Sequence, residues 1–456
     1  MIVLRVFPAA AIAAVLSACV AGPDYAPPPA PEPEAYSRSP QFEPAAPETD
    51  GPWWTGFQAG DLNALIETAL TDNLDIRQGA QRLAAAEALA GAARSDFLPT
   101  LDAGADATVR TDGRDTAGAG LSVAQIIDVN GQLRRSEERA RAEVLAAEYE
   151  LEDIRRLTAA SAASLYVEAR RARARLALLD ASLELQQRTL DIVERRAEAG
   201  LSADLDVRRA TADLARTRAQ RGALELQQVH ARNALSVLLG QVPGARLSWL
   251  EANSAAPRDA LGMSYEAAIP LGAPADMIRR RPDLRQAEAR LMAATAQIGI
   301  EQADLYPALR LPGSISADFS GGPGDDLAAS LSAVLNVPLF DFGRRQAEVT
   351  VAEARAAEAA LAYEQAVLRA LEEVETGLVA IDSVQARLAD LEIAVTESER
   401  AFDQLNALYR EGLASFIDVL DAQRTLIGSR EALVDSQADL ASAVIDLNVA
   451  LAAPAR

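Results

Sequence analysis

The side chains best suited to chemistry are scarce in this sequence. Its 456 residues hold one thiol, Cys19, and one imidazole, His230, and every one of the 44 basic residues is arginine. A zinc centre needs three or four nitrogen or sulfur ligands, which this inventory cannot supply. A nucleophile–histidine pair has only His230 to draw on, and that residue sits beside Arg232 and Asn233 in an amphipathic stretch, where a surface or partly packed side chain is expected. A Walker-type phosphate loop requires a lysine, and there is none. Carboxylates outnumber arginines 66 to 44, for a net charge of −22. Nucleic acid demands a basic face, so no nucleic-acid partner is expected. No catalytic centre, metal or conventional cofactor follows from these residues. What remains is a lone thiol near the start and carboxylates such as Asp418 and Asp421, spaced to share a helix face.

Cys19 closes an N-terminal segment with one arginine, Arg5, an apolar run from Val6 to Leu16, and then Leu16-Ser17-Ala18. A short apolar stretch between a positive charge and small residues describes a secretory signal, and it is too short for a bilayer, which needs about 20 residues. Residues 1–18 are therefore expected to be a signal peptide. The Leu-Ser-Ala-Cys run resembles the lipobox of bacterial lipoproteins, which implies a covalent lipid on Cys19 and, with Val20 following it, the outer membrane. Residues 19–59 then read as a Pro-rich leash. From residue 22 to 52 they carry too little apolar surface to offset ordering entropy and should be extended. Trp53 and Trp54 read as packing anchors for that leash.

The rest of the chain is organised by an internal repeat. At an offset of 208, Asp75, Arg77, Gln78, Arg82, Gly91, Asp96 and Pro99 recur as Asp283, Arg285, Gln286, Arg290, Gly299, Asp304 and Pro307. At an offset of 212, Gly131, Gly200, Leu201, Asp206 and Val207 recur as Gly343, Gly412, Leu413, Asp418 and Val419. The expected units are residues 60–240 and 273–452, with a connector at 241–272. Each has a helix (60–97 in the first), a hairpin (101–127 or 309–338), a long helix, a turn (199–202 or 411–414) and a returning helix (203–239 in the first). Each long helix, at about 68 residues, would extend about 100 Å, with two shorter helices stacked to match it as a rod.

The hairpins announce themselves by period two. Leu101, Ala103, Ala105 and Ala107 alternate with Asp102, Gly104, Asp106 and Thr108, and Leu311, Gly313, Ile315 and Ala317 alternate with Ser314, Ser316 and Asp318. Strands of about ten residues with one apolar face suit a transmembrane barrel. Four strands cannot close one, and open edges cannot sit in lipid, so the chain must oligomerise; three copies would supply twelve strands. Residues 101–127 lack aromatics, leaving Phe319 and Phe340 as girdle candidates. Arg134-Arg135 and Arg344-Arg345 follow the strand-to-helix joints, near headgroups or simply at solvated helix starts.

The chain resembles the TolC-like outer-membrane efflux proteins, in particular their OprM/NodT-type lipoprotein branch. The resemblance rests on Trp53-Trp54-Thr55-Gly56-Phe57, Arg280-Arg281-Pro282-Asp283-Leu284-Arg285, Leu305-Tyr306-Pro307, Pro338-Leu339-Phe340-Asp341-Phe342-Gly343-Arg344, Tyr409-Arg410-Glu411-Gly412-Leu413 and Asp418-Val419-Leu420-Asp421-Ala422-Gln423-Arg424. It covers essentially the whole chain. It implies a mainly α fold in which long antiparallel helices form an α-barrel and four strands join a trimeric 12-stranded β-barrel. It further implies a homotrimeric, lipid-anchored duct that takes small toxic molecules from an inner-membrane RND-type pump through a periplasmic adaptor.

Gly200 and Gly412 are sufficiently explained as helix C-caps. The resemblance adds a second role, adaptor docking, for Ala199, Gly200, Leu201, Glu411, Gly412 and Leu413. It also places Ile417, Asp418 and Asp421 at a periplasmic gate, whereas a solvated acidic face or a carboxylate at a helix start accounts equally for the two aspartates. The same architecture could serve a type I protein secretion system or, without a pore, a periplasmic coiled-coil scaffold.

Overall fold

The computed structural model describes residues 20–28, 33–37, 51–111, 115–244, 261–263, 265, 269, 271, 273–319 and 327–453. The signal segment, Cys19, both hairpin tips and most of the 241–272 connector lie outside them. A 3₁₀ turn at Trp53–Phe57 leads into α1 (Gly60–Asp72), α2 (Leu74–Ser95), β1 (Thr100–Thr108), β2 (Thr116–Ile127), α3 (Gln132–Glu198), α4 (Asp204–Ala219) and α5 (Arg221–Leu238). The second series is α6 (Pro274–Arg280), α7 (Pro282–Ala303), β3 (Ala308–Asp318), β4 (Leu327–Leu331), β5 (Val334–Asn336), α8 (Arg344–Glu411) and α9 (Phe416–Ala450).

The helix expected over 60–97 is in fact two, broken at Asn73. Asn73 is buried, and its side-chain oxygen accepts from the amides of Asp75 (2.8 Å) and Ile76 (3.0 Å), which makes it the N-cap of α2. The equivalent break in the second series falls at buried Arg281, where Pro282 forbids continuation. The returning helix of the first series is also interrupted, at Gln220.

Two compact units emerge from this chain order. The first gathers Met1–Pro31, Gly79–Glu152 and Pro282–Leu368, and it carries the sheet. Strand order is β1-β2-β3-β4, with β5 also on β3, and all pairs are antiparallel. Register puts Leu101, Val123, Gly313 and Leu331 in one cross-strand row, and Asp102, Ser122, Ser314 and Ser330 in the next. Side-chain alternation therefore makes one face apolar and the other Ser-, Gly- and Asp-rich. The expected single fourth strand is split. Gly313 pairs with Leu331 and Leu309 with Leu335 in one unbroken register, but Pro312 faces Ser332 between them. Ser332 donates its amide to the Pro312 carbonyl (2.9 Å), while proline has no N–H to return the bond.

The second unit gathers Glu32–Gln78, Asp153–Arg281 and Arg369–Arg456. Trp53, Trp54 and Phe57 are buried there, and Phe57 meets Tyr265 edge-on at 4.9 Å. A separate apolar cluster, built on Leu190, Val193, Leu214, Phe402, Tyr409, Phe416 and Leu426, lies beneath the two helix turns. The described parts of the leash are seated on the body by specific contacts. Within the first unit, residues 20–28 are held by Arg135, whose guanidinium donates to Ala21 O (3.0 Å), Gly22 O (3.2 Å) and Asp24 (2.8 Å). Within the second, Ser37 donates its amide to Glu375 (2.7 Å) and Tyr36 is buried.

Candidate functional site

The two helix turns are built the same way. Gly200 has φ +73 and Gly412 φ +80, values that an L side chain rarely adopts. At the first turn, Gly200 N donates to Ala197 O (2.9 Å) and Leu201 N to Arg196 O (2.8 Å). At the second, Gly412 N donates to Tyr409 O (3.0 Å) and Leu413 N to Leu408 O (2.9 Å). Both are Schellman caps, and both present a leucine outward, Leu201 at 67% and Leu413 at 71% exposure. Ala199 and Glu411 are exposed beside them. Arg196 joins the turns: its guanidinium lies 4.8 Å from the Tyr409 ring centroid and donates to Arg410 O at 2.9 Å.

The three residues expected at a gate fall into two environments. Asp418 is engaged in a capping box, its carboxylate accepting from the amide (3.2 Å) and hydroxyl (2.6 Å) of Ser415 while Asp418 N donates back to the hydroxyl. Ile417 and Asp421 are exposed on the same first turns of α9, and the Asp421 side chain is 70% exposed, with Arg424 at 4.0 Å. Arg424 instead gives its two short bonds, 2.9 and 2.8 Å, to Asp213 of α4. Asp213 is buried and also accepts from Gln186 of α3 at 3.0 Å. Helices α3, α4 and α9 are thereby tied about three to four turns below the exposed leucines. Sequence reading missed Asp213, because an Asp among arginines on an amphipathic helix looks like a solvated face. It also missed Ser202, whose hydroxyl lies 3.3 Å from that of Tyr409 and donates to Asp206 at 3.0 Å.

At the strand-to-helix joints, Asp341 accepts from the amides of Arg345 (3.2 Å) and Gly343 (3.0 Å), and those bonds hold its carboxyl below the usual range. Arg345 also binds Asp304 at 2.7 Å, and Arg134 binds Asp128 at 3.1 Å, so both paired-arginine motifs serve these joints. Aromatics gather here more than expected. Phe340 and Phe342 meet edge-on at 4.5 Å, both are exposed, and Tyr306 is exposed nearby in sequence to β3. His230 is exposed, and among the described residues no group of three or more His, Cys, Asp or Glu side chains is placed to hold a metal ion. No described helix is long and apolar enough to cross a membrane.

An antiparallel sheet with one apolar face, joined to paired long helices that end in matched turns, defines the channel class of the outer membrane. The chain belongs to the outer membrane efflux protein family, whose profile matches residues 65–241 and 273–453. It is 32% identical over 451 residues to nodulation protein T of Rhizobium leguminosarum bv. viciae, covering 97% of this chain and 92% of that one. It is 30% identical to the toluene efflux pump outer membrane protein TtgI of Pseudomonas putida, covering 87% and 86%. Its fold is similar to that of the outer-membrane channel OprN, with a TM-score of 0.87 at 31% identity over 96% of this chain and 99% of that one. The strands are thus this chain's share of a transmembrane β-barrel, and the long helices its share of an α-barrel.

Proposed function

We propose that three copies assemble into the outer-membrane exit duct of a tripartite efflux system, receiving drugs or other small toxic molecules from an inner-membrane RND-type pump through a periplasmic adaptor. The observation that carries this reading is the sheet. It has one face apolar enough for lipid and two edge strands, β1 and β4–β5, with no further strand beside them among the described residues. Lipid tolerates no open edge, and three copies of four strands make a closed twelve. The toluene named for one relative fits a cargo of small apolar molecules.

Ala199, Gly200 and Leu201 with Glu411, Gly412 and Leu413 dock the adaptor, in a helix-against-helix contact anchored by the outward leucines. Ile417 and Asp421 line the periplasmic gate as threefold rings, with Asp418 holding the helix start beside them. Cys19 carries the lipid, and no other cofactor is required. The strap's seating from Val20 onward at the strand-to-helix joint supports an anchor at membrane level.

Outer membranes extracted in mild detergent should yield a heat-modifiable trimer that forms channels in planar bilayers. Finding only monomer would overturn the reading. For the gate, the Ile417→Ala, Asp421→Ala double variant should stay open longer and leak antibiotic; unchanged open time would remove the gate assignment.

A further inference from the structure

We infer that the acyl chains on Cys19 lie against this chain's own sheet, along the apolar face of β2 and β3, in a hollow floored by Gly313. The inference rests on the reading of Cys19 as the lipidated residue.

The described chain begins at Val20, and its place there is fixed. Ala21 N donates to Asn130 O at 2.9 Å, and the Asn130 side chain donates to Pro307 O at 2.8 Å. Asn130 follows β2 by three residues, and Pro307 directly precedes β3. Gly131 leaves room for Val20: a Cβ at residue 131 would come within 2.7 Å of the Val20 Cγ1. Cys19 precedes Val20 in sequence, so a lipid on it starts one residue from the foot of the β2–β3 pair.

An apolar track rises from that foot. Ile127 pairs with Leu309, Gln125 with Leu311, Val123 with Gly313 and Leu121 with Ile315, all on one face. Gln125 is the polar exception, and its amide is turned onto Phe97 O (3.1 Å) and Ile126 O (2.8 Å). At Gly313 the surface sinks into a hollow of about 440 Å³ walled by Leu101, Leu121, Val123, Ile315 and Leu331. A Cβ on Gly313 would meet Val123 Cγ1 at 2.9 Å and Leu331 Cδ1 at 3.3 Å, so these two side chains lean over the glycine and a larger residue there would push them into the hollow. From the Leu309 row to the Gly313 row is about 13 Å at about 3.3 Å per residue. One leaflet of a hydrocarbon core of about 30 Å is about 15 Å deep, so an acyl chain that spans its leaflet reaches the hollow. The tether at Val20 raises the effective concentration of this acyl chain beside the β2–β3 face above that of any free lipid.

Cells fed a fatty acid bearing a diazirine would place the photoprobe on the lipidated terminus. After irradiation of native membranes, intact-mass analysis of the N-terminal peptide reports acylation, and peptide mapping reports where the acyl chain reacted. The expected result is acylated Cys19 with intrachain adducts on residues 121–123 and 311–315. Gly313→Trp should reduce them severalfold while channel conductance persists. Acylated Cys19 whose adducts fall on bulk phospholipid or on other strands would overturn the inference while leaving the anchor intact. So would equal labelling of the hollow by free photolipid in wild-type and Cys19→Ser chains. An N-terminal peptide without acyl mass would overturn the anchor reading itself.

Discussion

Asn73 and Arg281 occupy equivalent positions in the two repeats and close the same joint with different chemistry. Asn73 Nδ2 donates to Leu238 O at 3.0 Å, and Arg281 Nη1 donates to Ala450 O at 3.0 Å. Leu238 and Ala450 are themselves equivalent at an offset of 212, each the last residue of a returning helix. The carbonyl that a helix end leaves without an intrahelical partner is in both cases satisfied by the break in the preceding helix pair. One repeat uses an amide that also caps α2. The other uses a guanidinium that also binds Glu373 at 2.7 Å.

Asn73→Ala should cost about 2 kcal/mol, about 1 from the lost N-cap and about 1 from the carbonyl left short of a donor. Asn73→Ser keeps a hydroxyl for capping but cannot reach Leu238, so it should lose about half as much. Thermal melts of the purified protein in one detergent would rank the three; equal melting temperatures for the Ala and Ser variants would dissociate the cap from the joint.

The buried Asp213 makes the two sides of its ion pair unequal. Arg424 is 45% exposed and retains water and Asp421 if Asp213 is removed, whereas Asp213 is 6% exposed and would be left buried with only Gln186 and a longer contact to Arg216 (3.5 Å) if Arg424 were removed. Arg424→Ala should therefore destabilise by about 3 kcal/mol, and Asp213→Asn by clearly less, since its amide still meets Gln186 without a buried charge. The same melts check the order, and the reverse order would show that Arg424 is held chiefly by other contacts.

The seat of Tyr36 should give way only in alkali. Burial, seconded by the negative charge of Glu375, pushes its hydroxyl from 10.0 up to about 12. The folded pKa is the raised one, so the stabilisation by neutral Tyr36 is complete below pH 10 and is lost as pH rises through about 12. Tyrosinate absorbance should show a late-titrating tyrosine that disappears in Tyr36→Phe, with protease cleavage around residues 33–37 of the wild type rising over the same interval. Ionisation of Tyr36 near its ordinary value would mean that the strap is not seated there.

Elements that depend on one residue's covalent constraint could be read from the sequence. Gly200 and Gly412 mark turns because only glycine takes their φ cheaply, and Pro99 and Pro307 mark helix ends because proline restricts the residue before it. The alternation around Leu101 and Ile315 gave the sheet faces for the same local reason. What escaped depends on contacts between distant residues. Nothing near Asn73 says that its amide finds Leu238, and nothing in a Pro-rich segment says that Arg135, more than a hundred residues on, will clamp Ala21 and Gly22. At the site, the spacing of Asp418 and Asp421 cannot separate their roles. Ser415 three residues before Asp418 is the capping-box signature that does, and it stood in the sequence unread.

The two edge strands have a consequence for what stability means here. β1 and the β4–β5 strand each turn one row of peptide groups away from any neighbouring strand among the described residues, and Pro312 already removes one bond from the ladder inside. In hydrocarbon each unmet peptide group costs several kcal/mol. A solitary copy thus has no favourable place in the bilayer, and the free energy of folding contains the logarithm of subunit concentration. Dilution then acts as a denaturant for this protein, and a defect at either edge strand would show itself as a steeper dependence on expression level.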